Sequence, residues 1–407
     1  MIETDSTQTM IRFTCLMAMI FLGAQQLVLA QRPIHYDESK VPDLILPDVL
    51  VGYDGSLIKT PGDWEYQRRP ELVAKFADQV YGQVPKDFDQ IAFEVKAQPN
   101  HPHSKYSNLK EVAIYISRKG KTQIMQVKLY LPKDANKPVP VFVLISHRNV
   151  ETVTGDIENR FFPVEQIVSR GYAAAIFDVE FVSPDDPDRY TVGILDELYP
   201  EQKTMPNGMK GLSAWAWGAV RVMDYLEKDP EVDASRAAVI GHSRGGKAAL
   251  WTGANDTRWA ITISNESGCG GAALSKRMIG ETVNRINTGF PYWFSDNFKA
   301  YNDKEDELPL DQHQLIASIA PRAVYVGSSK DDTWADPKGE FLSLKIGSQV
   351  YSEIYGLDLD FPEDYKLEVQ TIHQKNVGYH LREGKHDLTA YDWGKVLDFA
   401  DMQYGLK

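Results

Sequence analysis

The middle of the chain alternates between short, continuously apolar runs and longer stretches with helical periodicity. Such runs are typical of strands buried on both faces of a parallel sheet, because neither face carries alternating polar residues. The helical period is clearest over 211–228, where apolar residues recur every three or four positions. Residues 339–354 and 391–403 are also predicted to be helices. The predicted parallel strands cover residues 139–146, 172–179, 237–243, 259–264 and 323–329.

The first part of the chain has a different pattern. Residues 91–97 and 110–131 alternate apolar and polar side chains, which is typical of half-buried strands. The sequence Lys119-Gly120-Lys121 interrupts the second stretch and predicts an antiparallel hairpin. Residues 31–70 are rich in proline and polar residues and are expected to form an extended arm, followed by a short helix over 70–82.

This alternation of strands and helices predicts an α/β protein. We expect a doubly wound three-layer sandwich, in which a mostly parallel central sheet lies between two layers of helices. The stretch 265–320 is longer than one crossover requires and is predicted to be an insertion over the functional site. We therefore expect a single catalytic domain over 31–407 with an N-terminal extension over about 31–90.

The first 30 residues read as a secretory signal peptide. Arg12 precedes an apolar run over 15–24, and Val28 and Ala30 occupy the −3 and −1 positions of a cleavage site. The apolar run is too short to span a bilayer as a helix of the mature protein. We expect cleavage after Ala30 and an exported protein, periplasmic or secreted, without a membrane span.

Composition and charge exclude several classes of protein. The 407 residues are 43% apolar and 25% charged, which excludes a disordered or low-complexity chain. The net charge of −13 repels phosphate backbones and makes a nucleic-acid partner unexpected. Of the two cysteines, Cys15 leaves with the signal peptide, so Cys269 has no intramolecular partner and is expected to be packed and unreactive.

One short motif carries the clearest chemistry. Gly241-His242-Ser243-Arg244-Gly245 matches the pattern Gly-x-Ser-x-Gly and stands between a predicted strand and a helix-prone segment. This context is that of the nucleophile elbow of the α/β-hydrolase fold, in which the serine is exposed on a sharp turn. Ser243 is therefore the predicted nucleophile, and the N-terminus of the following helix offers backbone N–H groups to an oxyanion.

A serine nucleophile needs a base, and in this fold the histidine follows the serine and the acid along the chain. His386 lies in a polar, glycine-containing loop between the last strand-like segment and the final helix, so it is the predicted base. His313 and His380 are predicted to be structural histidines.

The acid of the triad has more than one candidate. Glu266 and Asp332 each follow a predicted strand, and both loops reach the carboxyl edge of the sheet, where sites of open α/β folds gather. The residues themselves leave these two carboxylates about equal, and Asp331 is a third contender.

Three further residues suggest what the site binds. Arg244 and Lys247 place two cations beside the nucleophile, which suits an oxyanion, sugar hydroxyls or a carboxylate-bearing substrate. Trp334 follows the Asp332 loop and is a natural stacking platform for a sugar ring. Neither a convincing metal-ligand set nor a phosphate-binding or dinucleotide motif is present, so no metal and no cofactor are expected.

The segment 241–247 resembles the elbow of glucuronoyl esterases, carbohydrate esterase family 15. The resemblance covers roughly residues 40–405, and it departs from the fungal pattern at His242, where those enzymes have cysteine, and in lacking their disulfides. The segments that look like the bacterial branch of the family are 263–277, 280–287, 290–298, 308–322, 331–341 and 384–393.

The resemblance implies a role for each candidate residue. The family cleaves esters that join glucuronic acid on xylan to lignin alcohols and uses no metal or cofactor. Ser243 then matches the nucleophile and His386 the base. Glu266 matches the acid, and its closer likeness leads us to expect a larger loss from Glu266→Gln than from a change of Asp332, a second acid in many bacterial members. The residues matching substrate-side positions are Arg244 at the oxyanion, and Lys247, Glu281 and Trp334 at the glucuronate hydroxyls.

The sequence therefore predicts a serine esterase that acts on esters of 4-O-methyl-glucuronate, with glucuronoxylan or a lignin-carbohydrate ester as substrate. An acetyl-xylan esterase or another carbohydrate esterase on the same scaffold is the first alternative. A carbohydrate-binding protein without catalysis is the second. The leaving alcohol, the preferred sugar decoration and the oligomeric state stay open, with a monomer favoured.

Overall fold

The computed structural model describes residues 33–406, and a ten-stranded sheet organises them. The strand order across the sheet is β1-β2-β3-β5-β4-β6-β7-β8-β10-β9, and neighbours from β5 to β10 in that order are parallel. The strands are β1 (Gln90–Gln98), β2 (Ser107–Arg118), β3 (Lys121–Pro132), β4 (Val139–Ser146), β5 (Ala173–Asp178), β6 (Val232–His242), β7 (Ile261–Asn265), β8 (Ala323–Ser329), β9 (Gln370–Gln374) and β10 (Val377–Arg382).

The helices lie on both faces of this sheet. Alternate side chains of β4 enter two separate cores, because successive residues of a strand point to opposite faces. Val141, Val143 and Ile145 pack in one core, and Phe142 and Leu144 pack in the other. The principal helices are α1 (Arg69–Phe76), α2 (Val150–Gly155), α3 (Val164–Ser169), α4 (Gly211–Leu226), α5 (Arg244–Asn255), α6 (Val283–Gly289), α7 (Gln312–Ala317), α8 (Pro337–Gly347) and α9 (Ala390–Tyr404).

The two layers are built from different helices. The first core includes apolar residues of α4 and α5, and the second includes those of α3 and α9. The predicted doubly wound three-layer sandwich with a mostly parallel sheet is thereby confirmed. All five predicted parallel strands are present, with bounds that differ by a few residues.

Antiparallel strands complete both edges of the sheet. β2 and β3 form the predicted hairpin, whose two-residue loop is Lys119-Gly120, with φ of 51° and 76°. Two successive positive φ values are what a type I′ turn requires, and this turn matches the twist of the flanking strands. At the opposite edge β9 pairs with β10, and β10 ends just before the loop that carries His386.

The N-terminal arm is shorter than predicted. A helical stretch starts at Pro61 and continues to Tyr81, through Pro61–Asp63, a π-helical turn Trp64–Arg68, α1 and a second π-helical turn Ala77–Tyr81. Thr60 and Asp63 form a capping box that fixes its start, and the side chain of Trp64 is fully buried. The expectation of an extended arm is therefore wrong for residues 61–70.

Two other boundaries differ from the prediction. The helix expected over 339–354 ends at Gly347, and a separate π-helical turn follows over Val350–Ile354. The stretch 265–320 is mostly loop, interrupted by α6, α7 and three short 3-10 helices. By their contacts, the described residues from Ile34 onward form one compact unit. No helix among the described residues is long and apolar enough to cross a membrane, and the predicted signal peptide lies outside them.

Candidate active site

The strand β6 and the helix α5 meet at Ser243, which adopts the strained backbone of a nucleophile elbow. Its φ and ψ are 56° and −126°, values that a non-glycine residue rarely takes and that cost about 1–3 kcal/mol. The turn closes only because its neighbours are small. A Cβ on Gly241 would lie 2.0 Å from the carbonyl oxygen of Gly245, and a Cβ on Gly245 would lie 2.9 Å from that of Ile145.

Ser243 opens into a cavity of about 160 Å³ at the carboxyl edge of the sheet. Seven of the eight predicted site residues line it, and Asp332 lies directly behind His386. Of the other five wall residues, four belong to the stretch 265–320 and one to the loop after β8. The predicted insertion therefore reaches the site. The lining residues are Ser243, Arg244, Lys247, Glu266, Ser267, Gly268, Glu281, Phe290, Trp293, Trp334, Ala335 and His386.

Two carboxylates converge on one nitrogen of His386. Its Nδ1 lies 2.6 Å from Oδ2 of Asp332 and 3.3 Å from Oε2 of Glu266. Burial lowers the pKa of the imidazole, but the hydrogen bonds to Asp332 and Glu266 outweigh it and raise that pKa to about 9. Because Nδ1 is held by the acids, Nε2 is left as the nitrogen that can exchange a proton with a nucleophile. Asp331, the third contender, is exposed to solvent.

Glu266 is held by more than the imidazole. Its Oε1 accepts a hydrogen bond from Arg382 at 2.5 Å, and its Oε2 accepts the backbone N–H of Asp387 at 2.9 Å. Arg382 also binds Asp392 at 2.8 Å through Nε, so its charge is shared between two buried acids. Burial raises the pKa of Glu266 to about 7, against the opposing effects of His386 and Arg382.

A second histidine packs against the base. The ring centroids of His242 and His386 are 4.5 Å apart, and His147 stacks behind His242 at 6.2 Å. Nδ1 of His242 lies 2.6 Å from Oδ1 of Asn265, which fixes the ring. Burial and the neighbouring His386 hold the pKa of His242 well below its usual value, so this ring stays neutral beside the base.

Arg244 is held in the cavity wall by Asp185, an acid that the sequence analysis did not single out. Its Nη1 lies 2.5 Å from Oδ2 of Asp185. The other oxygen of Asp185 accepts hydrogen bonds from Tyr292 and from the indole of Trp293, both at 2.8 Å. The guanidinium also lies 4.5 Å from the ring of Trp293, a cation–π distance.

Lys247 and Glu281 form a buried ion pair of 3.0 Å in the cavity wall. The other two hydrogen bonds of the ammonium go to the carbonyl oxygens of Ser267 and Cys269, both at 2.6 Å. All three donors of Lys247 therefore have protein partners. We infer that Lys247 affects a bound ligand mainly by holding Glu281 in place. Trp334 is 39% exposed, which leaves its ring accessible to a ligand.

The remaining candidates have structural contacts. His313 binds the carbonyl oxygen of Pro47 at 2.8 Å, and His380 lies between Asp392 and Tyr325, as expected for structural histidines. Cys269 is buried, and burial raises the pKa of its thiol.

A metal ion is a further possibility that the geometry raises. One ligand atom from each of Glu266, Asp332 and His386 lies within 4.8 Å of the other two, as in sets that hold a metal. The same arrangement orients the base of a catalytic triad, and Arg382 already places a positive charge beside Glu266.

Comparison with known proteins gives one consistent family. A family model described as glucuronyl esterase, fungi, matches residues 114–355. The chain is 41% identical over 403 residues to carbohydrate esterase MZ0003 from an unknown prokaryotic organism, covering 91% of this chain and 92% of that protein. It is 39% identical over 172 residues to 4-O-methyl-glucuronoyl methylesterase 1 of Phanerochaete chrysosporium, covering 40% of this chain and 35% of that one.

A solved structure extends the likeness over almost the whole chain. The glucuronoyl esterase from Solibacter usitatus superposes with a TM-score of 0.82 at 38% identity, covering 91% of this chain and 100% of that one.

Proposed function

The chain belongs to the glucuronoyl esterase family, carbohydrate esterase family 15, and on that basis we propose that it hydrolyses esters of 4-O-methyl-glucuronic acid, such as those linking glucuronoxylan to lignin alcohols. It is a carboxylic ester hydrolase of the α/β-hydrolase type. The observation that carries the proposal is one cavity in which Ser243 and His386 face the buried pair Lys247–Glu281.

The reaction begins at Ser243 and His386. The hydroxyl of Ser243 attacks the ester carbonyl while Nε2 of His386 takes its proton. The same nitrogen then returns that proton to the leaving alcohol, which yields an ester between Ser243 and the uronic acid. In the second step His386 takes a proton from a water molecule that attacks the acyl-enzyme. His386 then returns the proton to Ser243, and the free uronic acid departs.

Charge that develops on the carbonyl oxygen is stabilised at the start of α5. Arg244 is the first residue of the helix, where backbone N–H groups lack intrahelical partners. Its guanidinium, held by Asp185, adds a positive charge near the same oxygen. Asp332 makes the shorter hydrogen bond to His386, so we assign it the main orienting role and give Glu266 a supporting one.

Three other residues of the cavity wall recognise the sugar. Glu281 is a buried acceptor that suits the hydroxyls of a pyranose, and Lys247 holds it in place. Trp334 is accessible and suits stacking on the ring. A buried carboxylate oxygen without a hydrogen bond is costly, which favours a substrate whose hydroxyls bind the second carboxylate oxygen of Glu281.

A side-by-side hydrolysis assay tests this function. Purified protein is given an aryl-alkyl ester of glucuronate and, separately, acetylated xylan or a simple acetate ester. We expect faster release from the glucuronate ester, and we expect Ser243→Ala to abolish it while still binding the uronate product. Preference for acetate would favour the acetyl-xylan esterase alternative, and binding without turnover would favour a carbohydrate-binding protein.

Metal independence has a separate test. Because Glu266 and Asp332 are proposed to orient His386 as the base for Ser243, dialysis against EDTA is expected to leave kcat within twofold. A loss that added Zn²⁺ restores would instead assign a metal to these three residues.

We also propose that the protein is exported, with removal of residues 1–30 and a single catalytic domain over 31–407. The charged, apolar and small-residue order of the first 30 residues supports this. N-terminal sequencing of protein recovered from the periplasm or medium is expected to begin at Gln31. Light scattering of that protein is expected to give the mass of a monomer.

A further inference from the structure

Another buried carboxylate stands behind the triad, and the proposed reaction does not use it. Glu340 lies in the first turns of α8 and has no solvent exposure. Its Oε1 accepts two backbone N–H groups, from Ser267 at 2.8 Å and Gly268 at 3.0 Å. Its Oε2 lies 2.6 Å from the hydroxyl of Ser328, near the end of β8. Glu340 therefore ties the loop after β7 to the neighbouring strand.

The tied loop is the one that carries Glu266. The two N–H groups belong to the residues that directly follow Glu266, whose own φ is 48°, in the left-handed region. Such a backbone is unfavourable for a residue with a side chain, so the surrounding structure must maintain it. On the opposite side of the loop, Lys247 binds the carbonyl oxygens of Ser267 and Cys269. The loop is thus held from both its N–H side and its carbonyl side.

The buried carboxyl group of Glu340 is surrounded by hydrogen-bond donors and by other acids. Burial raises its pKa to about 8, and the neighbouring Asp332 and Glu266 act in the same direction, against hydrogen bonds from Ser328 and Gly268. The hydroxyls of Tyr365 and Tyr379 also lie close enough to interact with it electrostatically. The hydroxyl of Ser328 donates to Oε2, while Oε1 accepts the two N–H groups, so three donors hold the carboxyl group in place.

We propose that Glu340 is a positioning residue for Glu266, which fixes the loop 266–268 so that the Glu266 carboxylate stays at Nδ1 of His386. This rests on the proposed function, because it gives Glu340 a part only in orienting the base of the Ser243 reaction. Loss of Glu340 should therefore have the same consequence as loss of Glu266 and should spare the contribution of Asp332.

The test compares two substitutions in three backgrounds. Glu340→Gln keeps the size of the side chain and an acceptor oxygen for both N–H groups, so kcat on a glucuronate ester should stay within twofold. Glu340→Met removes every acceptor and should lower kcat about threefold in the otherwise unchanged enzyme, with little change in KM. In the Asp332→Asn enzyme, where Glu266 is the remaining acid, Glu340→Met should lower kcat by at least a further tenfold. In the Glu266→Gln enzyme it should have less than a twofold further effect.

A matched control separates positioning from general loss of stability. Leu344 is buried on the same helix, so Leu344→Ala should lower Tm while leaving kcat per folded molecule unchanged in all three backgrounds. Equal losses from Glu340→Met in the Asp332→Asn and Glu266→Gln enzymes would overturn the proposal. So would a Glu340→Gln enzyme as impaired as Glu340→Met.

A milder variant covers the case in which Glu340→Met does not fold. Ser328→Ala removes the partner of Oε2 and is expected to give the same dependence on background at smaller size, whereas equal losses in both backgrounds would overturn the proposal. These outcomes are separate from the proposed function, which is tested by the dependence of the unaltered enzyme on Ser243.

Discussion

The two sides of Ser243 are built in opposite ways. On the first side two acids converge on one atom, Nδ1 of the base, and one of them is tied to an arginine as well. On the second side each cation has one acid for a partner. We call the first the acid side, which comprises Glu266, Asp332, Arg382 and His386. We call the second the sugar side, which comprises Asp185, Arg244, Lys247, Glu281 and Trp334.

This difference predicts different responses to mutation. Where two groups perform one task, removal of either leaves the task partly done, and the two losses are strongly non-additive. Where a cation has a single acid as its partner, removal of that acid leaves the positive charge without a neighbouring negative charge. The acid side should therefore tolerate single changes better than a triad with one acid, and the sugar side should not.

The largest expected effect comes from removing both acids. Asp332→Asn should lower kcat roughly tenfold and Glu266→Gln roughly threefold, while the double variant should lose at least about 10³-fold, near the loss seen when a triad acid is neutralised. The reason is that His386 keeps one orienting hydrogen bond in each single variant and none in the double one. Rates of glucuronate ester hydrolysis at saturating substrate provide the measurement.

The neighbouring acid supplies the control for this experiment. Asp331 is exposed and adjacent in sequence to Asp332, so Asp331→Asn removes a charge from the same loop without touching His386. Its kcat should remain within twofold. If the double variant lost only the product of the two single losses, the acids would act independently, and the shared role of the acid side would be refuted.

The next largest effect is expected from removing the charge of Asp185, the acid that pairs with Arg244 on the sugar side. Asp185→Asn should lower kcat roughly tenfold, less than the 10²–10³-fold cost of deleting an oxyanion donor, because Arg244 remains stacked on Trp293. KM should change little, since the loss falls on the transition state. Asp188→Asn, at an exposed acid in the same segment, is the matched control. A kcat unchanged by Asp185→Asn would remove Arg244 from the proposed oxyanion site.

A pH profile tests the electrostatics of the acid side. The base must be neutral to accept a proton, and the two acids raise the pKa of His386 to about 9, so kcat/KM should rise from pH 7 to about pH 9. Asp332→Asn removes the closer anion and should therefore shift the rising limb to lower pH, by about one unit. A limb that stayed in place or moved upward would contradict the assignment of Asp332.

The smallest expected effect concerns stacking. Trp334→Ala should raise KM for glucuronate esters roughly threefold, as expected for the loss of one exposed aromatic contact. The same variant should leave hydrolysis of a simple acetate ester unchanged, because that substrate has no sugar ring to stack. Equal changes for both substrates would show that Trp334 supports the cavity wall and does not recognise the sugar.

The central sheet and the elbow were predictable from local pattern. The continuous apolar runs and the Gly-x-Ser-x-Gly sequence each depend on residues that are close along the chain. Ser243 ends one such run and is the serine of the motif. The helix that begins at Pro61 was missed although Thr60 and Asp63 carry a capping signal, because the prolines and polar residues around them suggested an arm.

The partners of the site residues were not predictable in the same way. Asp185 lies 59 positions before Arg244, and Arg382 lies 116 positions after Glu266, so only the folded sheet brings them together. The order of the two acids also depends on fractions of an ångström at His386. The resemblance favoured Glu266, and the shorter hydrogen bond leads us to rank Asp332 first.

Two acids at one imidazole also affect how such a site can change over generations. On the proposed mechanism, a lineage that lost either Glu266 or Asp332 would keep a slower reaction through the other acid, because the two follow different strands and reach the same nitrogen. The orienting carboxylate would then be able to move from one strand end to another by single substitutions, without an inactive intermediate. Among the residues lining the described cavity, no second serine–histidine pair would offer Ser243 and His386 the same freedom.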